Sequence, residues 1–233
     1  MKYLLVALVA LTILLGTGCE AEVEAPVVIA SSAAEAAPEQ AQVVIDNDLV
    51  TVTKVTLKPR EEIPIHEGKD RVVYSLNRYR LRYQEPDEAP VVKDFNEGDA
   101  HWHLAGTHSI TNGGAITAEF LIIERKAPTP TPEEPSNLTG VARGYSSYVM
   151  NNADVRIVDV QLAAKGRVPN FNGSGGVVLM TSDGDVQFTS NKEPTRKEFK
   201  TGDILWLDAG VHSVRSYSSE PLAFRVFEFK PPE

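Results

Sequence analysis

Five histidines are the residues of this chain best suited to holding a metal or moving a proton, and three of them lie in "GDAHWHLAGTHS" at 98–109. In an extended strand, side chains two apart project from one face, separated by about 7 Å, and the residue between them faces the other way. His101 and His103 can therefore lean toward one ion, with Trp102 on the opposite face. Further on, "GDILWLDAGVHS" at 202–213 repeats the stretch, with Leu205 and Leu207 in place of His101 and His103, Trp206 in place of Trp102, and His212 in place of His108. The repeat is an internal control. His108 has a counterpart, whereas His101 and His103 do not, so these two stand either as additional candidate ligands or as part of an inter-domain or surface patch. Ser109 and Ser213 each follow a histidine directly, but neighbours in a strand point to opposite faces, which disfavours a Ser-His nucleophile pair.

The elements that must position these side chains are themselves duplicated. "LVTVTKVTLKPREEIPIH" (49–66) lies against "DVRIVDVQLAAKGRVPNF" (154–171), and "AEFLIIERKAP" (118–128) lies against "LAFRVFEFKPP" (222–232), aligning Glu124 with Glu228 and Lys126 with Lys230. Self-similarity of this kind marks a repeated structural unit. Within each half, valine, isoleucine, phenylalanine or tyrosine recur every second or third residue between Gly, Asn, Asp and Pro, the pattern of short strands. "SDGD" at 182–185 predicts a tight turn between two strands. No stretch keeps a 3.6-residue apolar period long enough for a substantial helix. Antiparallel strands must close or pair to hide their edges, so the expected architecture is all-β, with two tandem sandwich or barrel domains. "APTPTPEEPSN" at 127–137 is read as an extended, solvated linker between them.

With strands and repeat in place, the residues resemble the cupin superfamily, small jelly-roll barrels marked by two motifs. The second motif, G-x(5)-P-x-G-x(2)-H-x(3)-N, is present in shortened form as "GDAHWHLAGTHSITN" (98–112), with leucine for the proline; the second half keeps Gly202, Gly210 and His212 but has Ser216 for the asparagine. The first motif, H-x-H-x(3,4)-E-x(6)-G, is reduced to "IPIHEGKDRVVYSL": with His66 as its second histidine, Pro64 stands at the first and Asp70 falls near the acid. The resemblance implies two jelly-roll barrels, a bicupin, and a first barrel into which His66, Asp70 and His108 point. His-His-Asp is the composition of a facial triad, so the implied cofactor is one divalent ion, Fe, Mn or Zn, with His101 and His103 as additional candidates. In the second half Phe171 and Gly175 replace His66 and Asp70, leaving His212 alone, and that barrel is expected to be metal-free.

The remaining features concern location. Acidic residues exceed basic ones for a net charge of −9, the wrong sign for gripping phosphate backbones, so nucleic acid is not an expected partner. The single cysteine excludes an internal disulfide, a Cys-rich zinc site and a CxxC redox pair. It ends "MKYLLVALVALTILLGTGC", which has the basic start, short apolar run and small residues of an export signal. "LLGTGC" resembles the bacterial lipobox, implying a signal peptide over 1–19, lipidation of Cys19 and, with Glu20 following, sorting to the outer membrane on its periplasmic side. The expected organisation is a flexible Ala/Glu/Pro tether at 20–45, a first domain at 46–126, the linker at 127–137, and a second, degenerate domain at 138–233. Two functions follow as expectations. One is an exported, membrane-tethered bicupin that binds a small ligand or an envelope partner; the other is a mononuclear metal-dependent enzyme acting on a small organic substrate.

Overall fold

A computed structural model of the chain describes residues 29–131, 138 and 140–231. The expected signal peptide, Cys19 and Glu20 lie outside the described residues. No helix among the described residues is long and apolar enough to cross a membrane.

The first half is a two-sheet barrel. One sheet has the order β1(Ala41–Asp46), β2(Val50–Leu57), β9(Ala118–Arg125), β4(Arg71–Ser75), β7(Ala100–His103). The other has the order β3(Glu62–Gly68), β8(Gly106–Asn112), β5(Tyr79–Gln84), β6(Val91–Phe95). All these pairings are antiparallel. Between the sheets lie Leu57, Ile63, Val73, Leu81, Phe95 and Phe120, each at most 5% exposed.

In the second half the two sheets are continuous. β11(Val155–Gly173) pairs with β17(Leu222–Phe229) along its first part and with β16(Gly210–Ser216) along its last, serving both sheets at once. β12(Gly176–Met180) and β15(Ile204–Leu207) extend one side, and β13(Gly184–Ser190) and β14(Glu193–Phe199) the other, while β10(Ala142–Asn151) pairs on β11. The two tandem antiparallel barrels expected from the repeat are thus present. "SDGD" does not make a hairpin: β12 and β13 do not pair, so the segment carries the chain from one sheet to the other.

Period-two alternation explains how the halves meet. In β9, Phe120 and Ile122 face the first barrel's interior, while Leu121 and Ile123 join Val50, Val52, Val72 and Tyr74 on the outside. That outer face packs directly against Val155, Ile157, Val177, Leu179, Phe227 and Phe229 of the second half. A sheet covered on both faces needs unbroken apolar runs, which is why "FLII" and "VVY" read as they do. Arg225 crosses the junction, donating to the Gly98 carbonyl at 3.1 Å and to the Tyr74 hydroxyl while pairing with Asp159 at 3.0 Å.

Two expected boundaries need correction. Residues from Ile29 onward in the expected 20–45 tether belong to the fold: Glu67 donates to the Ala30 carbonyl at 2.8 Å, a short helix α1(Ala33–Ala36) capped by Ser32 follows, and Ala33, Ala37 and Ala41 join the first core. Alanine-rich sequence carries little periodicity, yet small side chains suit a close packing site. The linker is also pinned at its start, where buried Thr129 donates to the Phe229 carbonyl at 2.9 Å.

Candidate functional site

His66 on β3 and His108 on β8 are register partners, and their rings approach to 4.5 Å between centroids. Both are buried. The Nδ1 of His66 lies 2.8 Å from the Pro64 carbonyl, an acceptor, so Nδ1 carries the proton in that bond. Pro64, standing where the motif has its first histidine, thereby orients the second.

β7 supplies the next two imidazoles. Because Val73, an interior residue of β4, pairs with His101, alternation turns His101 and His103 into the first barrel. His101 sets its ring edge against Phe95 at 4.9 Å, and His103 stacks with Tyr83 at 6.2 Å. The Nε2 atoms of both are buried without a hydrogen-bond partner among the described residues. The expectation of an inter-domain or surface patch is therefore overturned. It is Trp102 that faces the other half, against Phe229 at 6.1 Å, and Trp206 packs on the same inter-domain cluster.

Asp70 does not join the histidines. One of its oxygens accepts from the Ala105 N–H at 2.9 Å and the other from Arg125 at 3.2 Å, and Arg125 continues to Asp154 at 3.5 Å. The pleat sends the next residue inward instead. Arg71, 6% exposed, donates to the carbonyls of Lys69 at 2.9 Å and Leu104 at 3.2 Å and places Nη2 3.3 Å from Nε2 of His108. Room for its guanidinium comes from Gly68, where a Cβ would lie 2.5 Å from the Arg71 Nη1. Arg71 and the interior Glu124 of β9 are register partners, and the Glu124 carboxylate accepts from the Lys69 N–H at 3.1 Å.

Electrostatics keep the imidazoles neutral. Burial first, then the nearby Arg71 charge, pushes the His108 pKa down to about 3 and that of His103 to about 4; burial lowers His66 as well. A cavity of about 400 Å³ opens over this cluster, lined by Arg71, Tyr83, Trp102, His103 and His108, with Glu85, Glu88 and Lys93 at its exposed mouth.

This donor set fits a divalent ion poorly. The Nε2 of His108 accepts from a guanidinium that has no acceptor of its own and keeps its charge, so an ion there would sit beside a fixed positive charge. Among the described residues, no three His, Cys, Asp or Glu side chains converge well enough to hold one.

The second barrel keeps His212 and Glu228 as counterparts of His108 and Glu124 but changes what surrounds them. Phe171 takes the place of His66 beside His212, with ring centroids 5.3 Å apart, and Gly176 pairs with Glu228 as Arg71 does with Glu124. Glu228 is held by Arg156 at 3.2 Å and by the Ser174 N–H at 2.8 Å. The remaining void is about 10 Å³, no more than a single water requires.

No protein-family model matches the sequence, and no curated relative does. Solved structures match over both halves. AerE from Microcystis aeruginosa is 14% identical with a TM-score of 0.61, covering 81% of this chain and 91% of that one. A cupin 2 conserved barrel domain protein from Leptotrichia buccalis is 13% identical with a TM-score of 0.53, over 82% and 88%. The fold is the tandem cupin fold. Bacillus subtilis oxalate decarboxylase, described with Mn(II) centers, shares this bicupin fold at 15% identity and a TM-score of 0.56, over 80% of this chain and 70% of that one.

Sequence reasoning missed Arg71, Tyr83 and Glu124. The signal was present in "RVVYS" and "FLIIE": once Val73 and Ile122 are assigned to the interior, alternation places Arg71 and Glu124 there too. The motif's acid position drew attention to Asp70 instead.

Proposed function

We propose that this chain is an exported, lipid-tethered bicupin that binds a small molecule in its first barrel, the second barrel serving as its packed structural partner. The observation carrying this reading is the contrast between equivalent places in the two barrels: about 400 Å³ with Arg71, Tyr83, His103 and His108 in its lining in one, about 10 Å³ beside His212 in the other. Export and tethering rest on the leader and Cys19. The alternative, a mononuclear metal-dependent enzyme, is supported by the company of oxalate decarboxylase within the fold and by four imidazoles in one barrel. It requires the Arg71 guanidinium to leave His108.

His103 lines the cavity, which supplies the test. Small molecules that bind there should raise the melting temperature, and His103→Trp, which fills the cavity, should abolish that effect. Stabilising compounds whose effect survives that filling would bind elsewhere, and the reading would fall.

A further inference from the structure

We propose that the first barrel recognises a small organic anion, with the Arg71 guanidinium as the group that receives its carboxylate. This names the ligand class for the binding reading above and rests on it.

The guanidinium is a buried cation whose hydrogen bonds all go to neutral acceptors: the Lys69 and Leu104 carbonyls and the His108 imidazole. Among the described residues, no carboxylate lies within ion-pair distance of it. Those nearby are committed elsewhere or lie at the surface. Asp70 is held by Ala105 and Arg125, while Glu124, the register partner of Arg71 and the strongest favourable charge on it, bonds the Lys69 N–H rather than the guanidinium. Glu85 and Glu88 are exposed at the mouth, together with Lys93. Burying a charge without a directly paired counter-charge is costly, and an arginine's planar fork matches a carboxylate bidentately, so a ligand anion entering the cavity would complete an ion pair the protein leaves open.

The surroundings serve this role. Gly68 gives up its side chain to admit the guanidinium. His103, neutral and with Nε2 unpartnered, can donate to or accept from a second polar group of the ligand, and Tyr83 stacks beside it. In the second barrel, glycine stands in the place of Arg71 and the cavity is lost. A buried guanidinium without an ion pair and a cavity occur together in one repeat; in the other, the guanidinium beside the equivalent carboxylate, Arg156, is paired with Glu228 and only about 10 Å³ remains.

The test is calorimetric titration of the lipidated protein in detergent with acetate, succinate and citrate, alongside their neutral amides. At least one carboxylate should bind with one-to-one stoichiometry and at least about tenfold more tightly than its amide, the size of one charge-assisted hydrogen bond. Arg71→Gln should lose about tenfold or more, with partial recovery in Arg71→Lys. Should Arg71→Gln fail to fold, sulfate at constant ionic strength should compete with the carboxylate in the unaltered protein. Equal affinity for acid and amide would overturn the anion inference while leaving small-molecule binding standing. Absence of binding by either class would overturn both. Stoichiometric manganese or zinc in the unaltered protein, retained through purification without chelator, would also overturn the inference.

Discussion

The Arg71 guanidinium lies 3.3 Å from Nε2 of His108, and each residue is only 6% exposed. A guanidinium only donates, so this contact commits the imidazole's lone pair and holds the ring neutral. A barrel expected to present histidines to a cation instead presents a cation to its own histidine. The chemistry open to the site changes accordingly.

Stability should fall in mild acid. His66, His103 and His108 all have folded-state pKa values below the ordinary one, chiefly through burial and also through the Arg71 charge. In the unfolded chain these rings take up protons near pH 6.5, whereas in the folded protein His103 does so only near pH 4 and His108 near pH 3. The unfolded state therefore binds more protons across that interval, and stability is lost as pH drops from about 6.5 toward 4. The melting temperature at pH 4.5 should lie at least about 4 °C below that at pH 7, where roughly 1 kcal/mol corresponds to 2–4 °C at this chain length. The drop should be smaller in His103→Gln. An equal drop in that variant would remove His103 from the account.

Gly68→Ala should destabilise the protein through Arg71. The added Cβ would meet the guanidinium at 2.5 Å, so the side chain or the strand must move. Overpacking of this kind costs about 1–3 kcal/mol. Measured by urea unfolding, the cost should shrink by at least about 1 kcal/mol in an Arg71→Ala background, since residues in contact do not act additively. Strict additivity would mean that the two do not touch.

Cys19→Ser should abolish incorporation of radioactive palmitate and release the chain from the membrane fraction into the soluble periplasm. Each acyl chain contributes roughly 0.8 kcal/mol per buried methylene, so a multiply acylated Cys19 would anchor the chain without a spanning helix. An unaltered protein that takes up no label would remove the lipoprotein reading.

The duplicated pattern was sufficient for two antiparallel barrels, because alternation and turn residues are local properties and a repeat doubles every signal. The meeting of His66 and His108 was implied by the likeness to the cupin motifs rather than by the repeat, and the pairing of β3 with β8 sets the two opposite each other. The face on which His101 and His103 lie was decided by tertiary structure. In the second repeat both faces of the corresponding strand are apolar, Leu205 and Leu207 on one side and Ile204 and Trp206 on the other. Sequence alone cannot tell a barrel interior from a buried junction when hydrophobic side chains cover both. The same holds for Asp70 and Arg71, adjacent residues that the pleat sends opposite ways, one to Arg125 and one to His108. A shift of one residue in register would exchange them. Only the back-to-back packing of the two halves, which places Val72 and Tyr74 in the junction, assigns the interior to Arg71.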